Sequence, residues 1–329
     1  MAITTDEIKS QSLAAYNQWC KQWRTQAKEN SKYNMKTFDD FVNVGVGKAV
    51  LCVANGYSLQ ENIETIKKYK DNVDILCCDK TLGTLIDHGI KPTYCMVCDA
   101  NVDYEKYMKP WENQLDGTIF FGNVCGNPKW SDNGNWKDKY FFVNKDILKS
   151  EQEFSELSGC WNHIPAATNV SGAMVVLLTQ CDNNFKNNHF GYDKILLVGF
   201  DYSWKRNNYY AFNDDGSGKD NYMRHISAVN LDGDMCFTSN NLLFSMKWLD
   251  QYIKTFQLPV VQCTKNTILS LNKMCDLVEQ MQYKYKRDDY KIVKDAIILK
   301  DKLTKELKTL DGKLAKIGQD HFRSFLATT

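Results

Sequence analysis

No run of eighteen apolar residues occurs anywhere in this chain, and its polar start, Met1 to Lys9, holds no apolar stretch of the kind a secretory leader needs. A bilayer-spanning helix takes about 20 apolar residues, so the expectation is a soluble, cytoplasmic protein with no membrane partner. Strong charge of one sign is missing too. Lys and Arg number 41 against 40 Asp and Glu, a net charge of +1, so the overall charge draws the chain toward no polyelectrolyte, although a local basic patch stays open. Histidine is scarce, five in 329 residues, which narrows the choice of a proton acceptor that titrates near neutrality. A second cysteine pair at zinc spacing is also lacking. Cys95 and Cys98 form a lone C-x-x-C in a strand-like run, where two side chains three apart point to opposite faces. Cys52, Cys77, Cys78, Cys95 and Cys98 all fall in such runs and read as core residues of a reducing compartment, not as a disulfide framework.

What is present begins at Lys48. The run from Lys48 to Ala54 reads as a buried strand that turns at Asn55-Gly56 into a helix starting near Ser58. Amides at a helix start point outward unpaired and the dipole adds positive charge, so Asn55, Gly56 and Ser58 are candidates for holding a phosphate; the same residues also fit a plain connection. The construction then repeats. Leu59, Ile63 and Ile66 keep helical spacing, Val73 to Cys78 is a second strand closed by Asp79, and Thr81 to His88 is a second helix stopped by Gly89. Thr93 to Cys98 is a third strand closed by Asp99. This is βαβαβ, the doubly wound, mostly parallel α/β pattern of Rossmann-like folds. Ligands of such sheets gather beyond the carboxyl ends of the strands, where Asn55, Asp79 and Asp99 would converge.

These residues carry a resemblance. Gly56-Tyr57-Ser58-Leu59, Cys78-Asp79, Gly89-Ile90-Lys91-Pro92-Thr93-Tyr94 and Cys98-Asp99 are similar to motifs of the domain shared by bacterial motility accessory factor glycosyltransferases and archaeal 6-hydroxymethylpterin diphosphokinase. So are Asn169-Val170-Ser171-Gly172, the run Ile195 to Asp201, and Asp232-Gly233 with Thr238. The likeness is collinear over residues 45–265, except that the family has Gly-Pro-Ser-Leu where this chain has Gly56-Tyr57-Ser58-Leu59. It implies a Rossmann-like, sialyltransferase-like catalytic domain and a glycosyltransferase moving a sugar from a nucleotide-activated donor to a hydroxyl on a protein, a glycan or a hydroxymethylated DNA base. No cofactor is needed in that case. The archaeal relatives imply an alternative, ATP-dependent diphosphoryl transfer to a pterin alcohol, with Asp79 and Asp99 holding magnesium between phosphates. A nucleotide-binding scaffold without turnover is a third reading.

Glycosyl transfer needs a stabilised phosphate leaving group and a base for the acceptor hydroxyl. The small-residue loop Thr168, Asn169, Ser171 and Gly172 is a second candidate phosphate or ribose site, and equally a helix cap. His225 is the first candidate base because it follows the long loop after the strand that ends at Asp201. His163 is the second; Asp201 is an alternative base or ribose ligand, and Arg224 a phosphate partner. His88, His189 and His321 read as structural. From Trp204 to Arg224 cations alternate with aromatic rings, a surface for stacking rings and touching phosphates or a lid. The Gly/Asn/Trp-rich stretch from Asn123 to Lys139 reads as another irregular, functional excursion.

Three regions follow from these patterns: an N-terminal helical segment over 1–44, the core over 45–265 and a helical extension over 266–329. The first carries Leu13, Tyr16, Trp19, Cys20 and Trp23 on one side. In the last, Ala296, Leu299, Leu303, Leu307, Leu310, Leu314 and Ile317 form a heptad seam that suits packing on the core or a homo-oligomer.

Overall fold

The computed structural model describes residues 4–180, 189–205, 210–213, 226–271 and 275–282. In chain order the elements begin with α1 (Thr5–Asn30), β1 (Ala49–Val53), α2 (Ser58–Tyr69), β2 (Asp74–Cys78), α3 (Asp79–Asp87), β3 (Tyr94–Val97), α4 (Tyr104–Tyr107) and β4 (Ile119–Asn123). They continue with α5 (Pro128–Asn133), β5 (Asp138–Lys145), α6 (Glu151–Ser158), β6 (His163–Pro165), α7 (Val170–Thr179), β7 (Lys194–Val198), β8 (Ile226–Val229), β9 (Met235–Thr238), α8 (Asn240–Phe256), β10 (Val260–Gln262) and α9 (Leu277–Gln282). The described residues belong to one compact unit, Met1–Lys284. The heptad seam lies outside them.

Eight strands form one parallel sheet in the order β10-β7-β1-β2-β3-β4-β5-β6. The chain walks outward from β1 to β6, returns, and lays β7 on the other side of β1. The order therefore reverses between β1 and β7, and a crevice opens at such a point beyond the strand ends. This is the doubly wound α/β architecture the sequence pattern predicts, with a small antiparallel pair, β8 and β9, outside the main sheet. Among the described residues no helix is long and apolar enough to cross a membrane.

The core follows from strand periodicity. Val50 and Cys52, Leu76 and Cys78, Tyr94 and Met96, Tyr140 and Phe142, and Ile195 and Leu197 cluster on one face with α7 and α8. Their alternates, among them Leu51, Ile75, Cys77, Cys95, Phe141 and Leu196, are also buried, against the layer that holds α2, α3 and α6. Burial on both faces is why the strands read as continuous apolar runs. Helix α7 is apolar all round, and Gly172 through Thr179 are buried, which marks a central helix.

One expectation changes. The excursion from Asn123 to Lys139 is an ordinary crossover from β4 through α5 to β5. Trp130 is 0% exposed and Trp136 8%, so the tryptophans that made it look like a binding loop are core residues. Helix α1 buries Gln26, Ala27 and Asn30 at its end, whereas Leu13 and Trp19 stay exposed. The Asn30 amide donates to the Val124 carbonyl (2.9 Å) and that of Gln26 to the Ala100 carbonyl (2.9 Å), pinning α1 beside the ends of β3 and β4.

Candidate functional site

At the reversal point the turn after β7 folds back onto the turn after β1. Gly199 (φ +77°) and Tyr202 (φ +54°) both adopt left-handed backbone, and Tyr202 does so without glycine's freedom. A Cβ on Gly199 would stand 1.9 Å from the Ala54 carbonyl oxygen, so the two turns pass too closely for any side chain there. This fold-back drives Asp201 into the start of α2. The Ser58 N–H donates to Asp201 Oδ2 (2.7 Å), the Ser58 hydroxyl donates to Oδ1, and the Gly199 N–H donates to Ser58 Oγ (3.0 Å). Helix α2 is thus capped by the carboxyl of Asp201, from the turn after β7, since no side chain of its own caps it.

The consequence corrects the expected phosphate turn. Ser58 is 0% exposed and lies beneath the crevice. The amide and hydroxyl proposed for an external phosphate serve Asp201. Gly56 is small for the same reason: a Cβ there would stand 2.6 Å from Asp201 Oδ2, and its N–H donates to the Gly199 carbonyl (3.0 Å). Asp201 is no exposed base either. Burial raises its pKa to about 7, against the pull of the two Ser58 bonds.

Above this junction lies a cavity of about 480 Å³. It gathers Asn55, Gly56, Asp79, Asp99, Thr168, Asn169, Ser171 and the buried Asp201, eight of the positions singled out from sequence, and adds Lys80, Asn144, Tyr202 and Tyr210. Gly172 sits one residue deeper, and its N–H donates to Asn169 Oδ1 (2.9 Å), so Asn169 is the N-cap of α7. Val170 and Ser171, the first residues of that helix, line the cavity, and the unpaired amides of a helix start suit anions. Cys98, expected in the core, is a half-buried part of the wall. Burial, with Asp79 and Asp99 beside it, holds its thiol well above the ordinary range, so it is a poor nucleophile.

Lys80 is the cation among the described lining residues. It occupies the first turn of α3, its Nζ donates to the Tyr210 hydroxyl (3.2 Å), and it stands 4.8 Å from the Tyr210 ring centroid and 5.7 Å from that of Tyr107. Burial pulls its pKa down, but Tyr210, Asp79 and Tyr107 outweigh that and leave it above its ordinary value, hence charged. Asp79 is buried beside it. Desolvation raises its carboxyl to about 6, and Asp99 adds to the rise while Lys80 opposes it. One hydroxyl in the wall is unsatisfied: Thr168 Oγ1 is buried with no hydrogen-bond partner, whereas the Tyr202 hydroxyl lies against the Asn169 and Ser171 side chains. Burying such a group unpaired costs about 1–3 kcal/mol, a cost that a polar ligand would offset.

The histidines are not gathered here. His163 opens β6, at the end of the sheet away from the crevice, is exposed, and its Nε2 hydrogen-bonds the Ser155 hydroxyl (2.7 Å). A short edge strand separates it from the α7 loop, so sequence proximity misled. His225 and Arg224 lie outside the described residues. His88 and His189 bind the Thr84 and Phe38 carbonyls, as structural histidines do.

Magnesium is bound by one or two carboxylates together with phosphate oxygens. Asp79 and Asp99 in one crevice supply that donor set, so these residues fit a cation held jointly with a phosphate ligand. Among the described residues no three His, Cys, Asp or Glu side chains come together as a complete ligand set.

A doubly wound sheet with an anion-suited cavity at its reversal point defines a Rossmann-like, nucleotide-binding class of fold. Within that class, the chain belongs to the 6-hydroxymethylpterin diphosphokinase MptE-like family, whose sequence profile matches residues 25–207. Among solved structures it is similar to the MAf glycosyltransferase from Magnetospirillum magneticum AMB-1, with 13% identity, a TM-score of 0.51 and coverage of 82% of this chain. The chain spans 40% of the length of that protein, and the likeness is one of fold. No curated protein matches it in sequence.

Proposed function

We propose that this chain is a glycosyltransferase that holds a nucleotide-activated sugar by its phosphates in the cavity between β1 and β7 and transfers the sugar to a hydroxyl. The observation that carries this reading is the convergence of charged Lys80, the first residues of α7 and the unpartnered hydroxyl of Thr168 around one cavity of about 480 Å³. A helix start and a lysine stabilise phosphate charge that grows as the glycosidic bond breaks, and donors already fixed in place cost no reorganisation at that moment. Asn55, Asp79 and Asn169 are suited to ribose hydroxyls or base edges. Asp99 is exposed on the rim and is the carboxylate best placed for an acceptor. In the step, the acceptor oxygen bonds to the anomeric carbon, the bond from that carbon to phosphate oxygen breaks with its electron pair leaving on the phosphate, and the hydroxyl proton passes to Asp99.

A second reading, diphosphoryl transfer from ATP to an alcohol, is favoured by the Asp79 and Asp99 pair and by the family description. Magnesium would there neutralise the phosphates, and Lys80 and α7 would keep the same role.

The test is ligand-induced thermal stabilisation with UDP-, GDP-, CMP- and dTDP-sugars and with ATP, each with magnesium and with chelator. Stabilisation by a nucleotide sugar, weakened at least tenfold in affinity by Lys80→Met in a folded protein, is expected. Binding of ATP alone, with magnesium-dependent AMP release, would move the assignment to the second reading. Binding of neither, or equal binding by Lys80→Met, would remove the donor site.

A further inference from the structure

A second cavity of about 450 Å³ adjoins the first, and Cys98, Asp99 and Asn144 belong to the walls of both. Its other boundary is α1. Trp19 and Trp23 stand one helical turn apart on the same side of α1 and form one wall, and Asn101, Asn123 and Asp146 are set into the rest. The wall is built, not collapsed. Trp23 packs edge-on against Phe154 (6.3 Å, 72°) and against Tyr16 (6.5 Å, 67°), and the Tyr16 hydroxyl is anchored on Glu153 of α6 (2.8 Å). Gln22 donates to Asn101 Oδ1 (2.8 Å), and the Asn101 N–H donates to Asp99 Oδ1 (2.8 Å), so α1 also fixes the carboxylate at the junction.

The two cavities differ in charge. The first holds Lys80 and a helix start; the described wall of the second contains no Lys or Arg but includes Asp99 and Asp146. An anion, a nucleic-acid strand included, would be repelled there. Half-exposed tryptophan faces offer broad apolar contact with a polar edge, and amides and carboxylates both suit hydroxyl groups. We infer that this second cavity, formed by α1 against the ends of β3, β4 and β5, is the acceptor site, and that it takes a neutral sugar ring laid against Trp19 and Trp23 with one hydroxyl directed to Asp99. The inference rests on the transferase reading for its role and names the acceptor as a carbohydrate.

The experiment is saturation-transfer NMR of the full chain with neutral methyl glycosides (glucoside, galactoside, mannoside, N-acetylglucosaminide), alongside thymidine, 5-hydroxymethylcytidine and a serine/threonine peptide. Trp19 is 36% exposed, and the melting temperature of each variant without ligand checks that its fold is kept. A glycoside should bind, Trp19→Ala should weaken it about tenfold, Trp19→Phe should stay within about threefold, and nucleotide-induced stabilisation should be unchanged in both variants. No glycoside bound, glycoside binding indifferent to Trp19→Ala, or a nucleoside or peptide binding in a Trp19-dependent way would overturn it. Glycoside binding without any nucleotide binding would overturn the donor reading and leave this site standing, so the two failures are distinguishable.

Discussion

Asp201 shows how one buried side chain can tie two turns of a cavity together. Its carboxyl accepts from the Ser58 amide and hydroxyl in a place where burial raises its pKa from the ordinary 3.8 to about 7. The folded chain therefore keeps this proton over a range in which the unfolded chain has released it. Folded protein binds the extra proton, so stability falls as pH rises from about 4, and the loss is complete above about 7. A tenfold difference in proton affinity is worth about 1.4 kcal/mol, so the whole effect is on the order of a few kcal/mol. Asp201→Asn keeps an acceptor for the Ser58 amide and cannot titrate. The melting temperature of Asp201→Asn should thus gain on that of the wild type between pH 4.5 and 7.5, read by thermal denaturation of both proteins at matched pH. A difference that stays flat across that range would mean the carboxyl titrates normally.

Helix α7 shows what an element start can do twice. Asn169 closes the Gly172 amide at a helix start whose first residues, Val170 and Ser171, line the cavity, so it stabilises the helix next to that wall. Loss of an N-cap costs about 1 kcal/mol, which lowers the melting temperature of a chain this size by about 2–4 °C. Thr4 caps α1 in a capping box with Glu7, far along the chain from the crevice. Asn169→Ala and Thr4→Ala should therefore lose similar amounts of stability by calorimetry. Only Asn169→Ala should also weaken nucleotide binding, by at least threefold in a titration. Equal binding in both variants would make the α7 cap structural alone.

Across the whole molecule the reversal of strand order places the first cavity, and α1 walls the one beside it. The segment lies ahead of β1 in sequence, yet it closes over the ends of β3 and β4 and packs on α6. Buried thiols make up much of the sheet: Cys52, Cys77, Cys78 and Cys95 are 0–2% exposed, and all the described cysteines are free. Stability then comes from packing without a covalent crosslink. A reducing agent should leave the melting temperature within about 1 °C, within the scatter expected when no disulfide contributes. A fall of several degrees on reduction would reveal a bridge.

Strand and helix periods, turn glycines and the acids that follow the second and third strands were legible from residues 48 to 99 because they are local: Leu59, Ile63 and Ile66 share a face whatever the rest of the chain does. The cavity members Asn55, Asp79, Asp99 and Asn169 were legible for the same reason, as strand-end and helix-start residues of a doubly wound pattern. Lys80, directly after an already suspected acid, carried a signal that could have been read; Tyr202 and Trp19 carried none that separates a wall residue from a core one. The sequence by itself determined the order of elements and which rim of the sheet would carry polar groups, since both depend on contacts between near neighbours. Only the tertiary structure decided that Asp201 would fill the first helix start, that His163 would face away, and that α1 would wall a second chamber. Those outcomes depend on segments more than a hundred residues apart, or on the reversal at β1 and β7, meeting at distances that no local pattern encodes.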